Sequence, residues 1–166
     1  MKKNLFSNVL LIAMAIVLLA GCTQNDPEKL AVGTWTAVSY VASDADEIIK
    51  IDENFETQTL SYYVGETLAE SNPFPYQSTM TLDEQGNIKI VTTVEGEVVE
   101  SVTGTYKIEE KGKELLFTYT NEDGGTMHGQ ITTLTKTSLV LETSQEQESP
   151  STGGTIKVNL VLTYKR

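Results

Sequence analysis

The residue types that carry most enzyme chemistry are scarce in this sequence. Among its 166 residues there is one cysteine, Cys22, and one histidine, His128. Serines such as Ser39, Ser78 and Ser138 do not stand in the strand-to-helix context of a nucleophile elbow, and a serine triad would have to use His128. A lone histidine on a predicted strand is typical of a surface residue. We therefore predict no nucleophilic catalysis.

Carboxylates are plentiful, with 23 Asp and Glu residues against 12 Lys and Arg. Close pairs such as Asp44 and Asp46, or Asp52 and Glu53, have the types needed for acid–base catalysis or calcium binding. Their spacing lacks the glycine and the terminal glutamate of a calcium-binding loop, and no glycine-rich phosphate loop is present. A solvated acidic loop is the better interpretation. We expect a protein that is not an enzyme and that uses neither metal nor cofactor.

Cys22 follows a leader-like segment. Lys2 and Lys3 precede an unbroken apolar run at residues 9–19, which is shorter than the about 20 residues that a membrane-spanning helix needs. A basic start, a short apolar core and small residues are typical of a secretory signal peptide. An ordinary signal peptide with an incidental cysteine is one interpretation of this segment.

A more specific interpretation comes from Leu19, Ala20, Gly21 and Cys22, which resemble the lipobox of bacterial lipoproteins. The resemblance implies that residues 1–21 are removed and that acylated Cys22 becomes the first residue. Two or more acyl chains give stable anchoring, whereas one holds a protein only marginally. Because no other cysteine is present, lipidation leaves no thiol for a disulfide. We expect the protein to be held by lipid in the cell envelope, at the outer membrane.

The net negative charge of the chain limits the classes of partner that it can bind. Removal of Lys2 and Lys3 with the leader lowers the net charge from −11 to −13, and such an excess disfavours binding to nucleic acid. Residues 22–31 are mostly polar and are predicted to be the lipidated N-terminus and a tether, which reaches about 30 Å when extended. Residues 32–166 are long enough for one domain with its own core.

The predicted domain at residues 32–166 shows the alternating pattern of β-strands. In its last segment, every second residue from Ile156 to Tyr164 is apolar, the period of a half-buried strand. Most segments are separated by short glycine-containing turns, which favour antiparallel neighbours. Eight strands are predicted, at residues 33–42, 77–83, 87–95, 98–109, 114–120, 126–134, 138–144 and 155–165. We expect such a meander to close into a barrel, because closure removes exposed edges.

Residues 43–76 interrupt this regular succession of strands and short turns. Asp44 and Glu47 fit a capping box at the start of a helix, whereas residues 47–52 and 60–64 fit short strands equally well. Residues 72–76 are predicted to be irregular, because two prolines cannot donate to a strand ladder. The aromatic side chains of this excursion either cover a barrel mouth or pack on the outside of the sheet; they are Phe55, Tyr62, Tyr63, Phe74 and Tyr76.

The first predicted strand of the domain begins with Gly33, Thr34 and Trp35, and Arg166 follows the last strand. Gly-x-Trp on a first strand and a basic residue after the last strand resemble the lipocalin signature. The order of features along the chain, from the lipobox-like residues through the tether and Gly-Thr-Trp to the basic-ended last strand, resembles the small lipocalin-like lipoproteins of Bacteroidetes. The resemblance implies an all-β fold, an antiparallel up-and-down barrel of eight or slightly more strands. In this chain we expect a long excursion between strands one and two. The resemblance also implies that Trp35 plugs the closed end and that Arg166 stacks on it. The long excursion, and the lack of a helix after the last strand, depart from the family pattern.

Two functions fit such a barrel. An eight-stranded barrel can hold one small molecule, and we predict a small hydrophobic or amphipathic ligand. The candidate lining residues, chosen by strand parity, are Met80, Ile90, Tyr106, Phe117, Tyr119, Leu141, Leu160 and Leu162. Alternatively, the barrel is solid and the protein is an accessory module that docks another envelope protein or a glycan. A connected apolar cavity of about 300 Å³ or more would favour the ligand.

Replacement of Cys22 by serine tests the lipidation hypothesis. Serine lacks the thiol that is acylated, so we expect Cys22→Ser to leave the membrane fraction and to incorporate no radiolabelled acyl chain. Cell fractionation and acyl labelling measure both effects. Label retained by the variant would refute the hypothesis.

Overall fold

A computed structural model describes residues 26–46, 48–111, 114–148 and 155–166. Within these ranges the fold is all-β, with eleven strands and one short helix. The elements are α1 (Pro27–Ala31), β1 (Gly33–Asp44), β2 (Ile49–Asn54), β3 (Thr59–Val64), β4 (Thr67–Pro73), β5 (Tyr76–Leu82), β6 (Asn87–Val94), β7 (Glu97–Lys111), β8 (Glu114–Asn121), β9 (Thr126–Leu134), β10 (Ser138–Glu148) and β11 (Thr155–Lys165). The leader and the lipobox-like residues lie outside the described ranges.

Eight of the strands form a closed antiparallel barrel. β5 to β11 pair in chain order, and β1 closes the ring by pairing with β5 on one edge and with β11 on the other. This confirms the predicted all-β, eight-stranded, up-and-down barrel. The predicted strands match the observed ones to within a few residues, because alternation and glycine turns mark most boundaries.

The excursion after β1 is a three-stranded extension of the barrel wall. β2, β3 and β4 add to β1 one after another, so the whole sheet has eleven strands within the described residues. The strand alternative for this segment is therefore correct and the helix alternative is wrong. Asp44 Oδ1 accepts a hydrogen bond from the Ile49 backbone N–H at 3.0 Å, so its side chain supports a hairpin turn instead of a helix start. β4 was not predicted from the sequence.

One edge of β1 is shared between two strands. Residues 33–36 pair with β5, whereas residues 39–43 pair with β2 on the same edge. A β-bulge at Val38 separates the two segments, and the Val38 carbonyl accepts a hydrogen bond from the Phe55 backbone N–H at 3.0 Å. β2 and β5 therefore diverge at this point, which opens a cleft in the barrel wall.

The opposite end of the barrel is closed by α1. The predicted tether is wrong for residues 27–31, which form this helix, because Asp26 caps it and Pro27 fits its first turn. Ala31 is fully buried, and its carbonyl accepts a hydrogen bond of 2.7 Å from the Trp35 indole nitrogen Nε1. The helix and the fully buried Trp35 together form the floor of the barrel.

Arg166 joins the floor to the end of β11. Its guanidinium carbon lies 4.0 Å from the centre of the Trp35 ring, the stacking that the family resemblance implied. Its Nη2 also donates to the carbonyls of Leu30 and Ala31, at 3.0 and 3.1 Å. Gly33 makes room for this contact: its φ is +137°, and a β-carbon there would lie 3.0 Å from the guanidinium.

Truncation of the floor residue tests its contribution to stability. Trp35→Ala removes a fully buried ring and its hydrogen bond, so we expect the free energy of unfolding to fall by about 3–5 kcal/mol. Urea unfolding measures this loss. The exposed neighbour Thr36 gives the control, and Thr36→Ala is expected to change stability little. Equal losses in the two variants would contradict the assigned role of Trp35.

Candidate functional site

The interior of the barrel above Trp35 is hollow. A cavity of about 370 Å³ lies between the two halves of the barrel wall. Its apolar lining residues are Met80, Ile88, Ile90, Val102, Phe117, Met127, Leu141 and Leu162. Its polar lining residues, which include three tyrosines, are Tyr40, Ser78, Thr92, Glu100, Tyr119, Asn121 and Tyr164.

The structure brings most of the predicted lining residues together. Six of the eight line the cavity: Met80, Ile90, Phe117, Tyr119, Leu141 and Leu162. Tyr106 lies nearer the closed end, where its hydroxyl donates to the Asp83 carbonyl at 2.8 Å and its ring stacks on Phe117. Leu160 is half-buried opposite Ala42 of β1 and lies outside the cavity lining. Parity therefore selects the inward face correctly but does not show how far the cavity extends along each strand.

Tyr40 is the most informative lining residue that sequence reasoning missed. Trp35 and Ala37 are buried, and strict alternation would continue this face at residue 39 and then at Val41. The bulge at Val38 shifts the register by one, so that Tyr40 turns inward beside Leu162. Nothing in the local sequence marks the bulge, because it contains neither glycine nor proline.

A cluster of hydroxyl groups forms the polar part of one cavity wall. The Tyr40 and Tyr164 hydroxyls lie 2.9 Å apart, and the Tyr40 hydroxyl donates to Ser78 Oγ at 3.5 Å. Burial raises the pKa of Tyr40 and raises that of Tyr164 well above its usual value. Both phenols are therefore neutral at physiological pH. Because the Tyr40 O–H is used on Ser78, the hydroxyl oxygens of this cluster can accept a hydrogen bond from a polar group on a ligand.

Tyr119 adds an unpaired hydroxyl to the lining. Its Oη is shielded from solvent and has no hydrogen-bond partner among the described residues. The ring packs over Gly104, where a β-carbon would lie 2.9 Å from the ring and 2.1 Å from the Thr120 carbonyl oxygen. Any larger residue at position 104 would displace this strand pair. A buried unpaired hydroxyl is costly, and a ligand oxygen or nitrogen would satisfy it.

The cleft beside β2 forms a mouth to this cavity. A depression of about 560 Å³ shares Tyr40, Thr92 and Glu100 with the cavity, so the two spaces adjoin. Its other lining residues are Glu53, Phe55, Phe74, Tyr76 and Val99. The aromatics of the excursion thus divide between two places. Phe55, Phe74 and Tyr76 line the mouth, whereas Tyr62 and Tyr63 line neither space.

Other surface features suit a ligand less well. A depression of about 610 Å³ lies outside the barrel at the closed end, and its rim carries charged groups such as Glu28, Lys29, Glu84 and Lys107. His128 is exposed on β9, with Nδ1 3.2 Å from Thr118 Oγ1. Within the described ranges, no three His, Cys, Asp or Glu side chains meet as they would around a metal ion. The interior cavity is therefore the best candidate site.

Comparisons with known proteins add little to this geometry. No protein-family model matches the sequence, and a search of curated proteins gave no match. Among solved structures, the chain is similar to one described as a de novo design of a fluorescence-activating beta barrel. The two share 13% identity and a TM-score of 0.41, over 85% of this chain and 97% of that chain. So distant a similarity supports no functional assignment.

The buried tyrosines predict a fall in stability at alkaline pH. A tyrosine in the unfolded chain has a pKa of about 10, and burial raises this pKa in the folded state. The unfolded chain therefore ionises first, so the stability is fully present below about pH 10 and is lost as the pH rises through the folded pKa. We expect Tyr164→Phe to lose less stability than the wild-type protein between pH 8 and about 11. Urea unfolding at both values measures the difference. Tyr63→Phe, on the β2–β4 extension, is the matched control, and an equal effect there would contradict the role of Tyr164.

Proposed function

We propose that this protein is a lipid-anchored protein of the cell envelope whose barrel binds one small amphipathic molecule. The single observation that carries the binding function is the contiguous cavity of about 370 Å³ inside the barrel. Known ligand pockets begin at about 300 Å³, and an eight-stranded barrel can enclose one small ligand. The cavity therefore has room for one compact molecule.

The lining supports an amphipathic ligand over a purely apolar one. Residues such as Phe117, Leu141 and Met80 are nearly completely buried and would surround an apolar part. The same lining contains the hydroxyl cluster at Tyr40 and the Tyr119 hydroxyl, which has no partner in the described part of the chain. A few polar groups in an apolar pocket fix the orientation of a bound molecule.

The anchor and the location are supported by the sequence. A basic start, a short apolar run and the lipobox-like residues ending at Cys22 precede the described domain. Among the described residues, no helix has the length and apolar character to cross a bilayer. The stacked Trp35 and Arg166 pair suits a lipocalin-like protein, and we propose that kinship on this feature together with the barrel.

A second candidate function is docking to another envelope protein. β4 pairs only with β3, so its outer edge has no strand partner among the described residues. Ile49, Val64 and Leu68 on the same extension are each more than half exposed. An unpaired edge beside exposed apolar side chains can accept a strand of a partner. This function would not require an occupied cavity.

Cavity filling distinguishes the two functions. Ile90 points into the cavity, whereas Val91 follows it on the other face of β6. We expect Ile90→Phe to weaken Nile red binding at least about fivefold, because the added ring occupies ligand space, and Val91→Phe to leave it unchanged. Fluorescence titration measures dye binding, and native mass spectrometry of the wild-type protein detects a copurifying small molecule. A wild-type protein that neither carries a small molecule nor binds the dye would overturn the ligand-binding function.

A further inference from the structure

The charged side chains that line the mouth of the cavity are acidic. Glu53 and Glu100 both line it, and the described residues that line the mouth and the cavity include no Lys or Arg. Glu100 is exposed at the rim, while Glu53 is half-buried on β2. The whole chain carries a net charge of −11, so the wider field of the protein has the same sign.

Glu53 lies on the inward face of the mouth. It pairs directly with Tyr40 across β1 and β2, and side chains at paired positions lie on the same face of a sheet. Among the described residues, its carboxylate has no ion-pair or hydrogen-bond partner. Burial raises the pKa of Glu53, because desolvation disfavours its charged form. A nearby cation would offset this cost.

Aromatic rings surround the same space. Tyr40 contacts Phe55 with ring centres 4.7 Å apart, Phe55 contacts Phe74 at 5.3 Å, and Phe74 contacts Tyr76 at 4.9 Å. All four rings line the mouth. Aromatic faces attract cations, and quaternary ammonium groups are bound in this way. The rings and the carboxylates therefore favour a ligand charge of the same sign.

We propose that the ligand is an amphipathic cation, whose ammonium group binds at the mouth near Glu53 and Glu100 while its apolar part fills the barrel. This inference rests on the proposed ligand-binding function and specifies the class of ligand. An anionic head group, such as a fatty-acid carboxylate, would meet two like charges there, and none of the described lining residues is basic. The interior remains available to the same apolar tail in either case.

Three probes with the same ten-carbon chain isolate the head group: decyltrimethylammonium, decanol and decanoate. Isothermal titration of each into the protein below its micellar concentration measures the three affinities. We expect the cation to bind at least about tenfold more tightly than decanoate, with decanol between them. Equal affinities, or a preference for decanoate, would overturn the inference and leave the proposed function intact. Failure of all three to bind would count against the proposed function itself.

Charge-neutral variants locate the cation. Glu53→Gln is expected to weaken decyltrimethylammonium binding by about fivefold and to leave decanol binding unchanged, because only the charged head is affected. Glu100→Gln should act in the same direction. Glu84→Gln is the matched control, since Glu84 is exposed at the closed end. Unchanged cation affinity in both mouth variants, with urea unfolding showing that they fold, would overturn the assignment.

Discussion

The architecture of the binding region depends on how β1 divides one of its edges between two strands. Up to residue 36 that edge pairs with β5, and from residue 39 onward it pairs with β2. The bulge at Val38 makes the exchange possible and supplies a carbonyl that fixes the end of β2. If the pairing with β5 continued along β1, the wall would have no cleft. The mouth, the inward turn of Tyr40 and the position of Glu53 all follow from this one irregularity.

The two ends of the barrel consequently have opposite properties. At the floor, Trp35 is fully buried, its nitrogen is hydrogen-bonded and its face is covered by Arg166. Toward the mouth, the buried hydroxyl of Tyr119 has no partner among the described residues and the carboxylate of Glu53 is partly desolvated. The stabilising contacts are thus concentrated at one end and the unsatisfied groups at the other. Such a division is common where part of a structure is kept available for a ligand.

The sequence predicts the barrel well because its strands follow simple alternation. For β7, for example, the pattern predicts residues 98–109, and the strand is observed at Glu97–Lys111. The short helix α1 was missed, since five residues are too few to show a helical period, although Asp26 followed by Pro27 is a start signal. Tyr40 was missed because a bulge without glycine leaves no local mark. The volume of the cavity depends on how side chains from opposite walls pack, which strand parity does not describe.

The position of α1 has a consequence for the direction in which the barrel faces. Only residues 23–25 separate Cys22 from Asp26, and four residue steps span at most about 14 Å. If Cys22 carries the lipid, the closed end is held next to the bilayer surface and the mouth opens on the far side. Molecules would then enter from the surrounding aqueous space and would not be extracted from the bilayer that holds the protein. The anchored barrel would thus present its binding site to the aqueous space, on the side away from its own membrane.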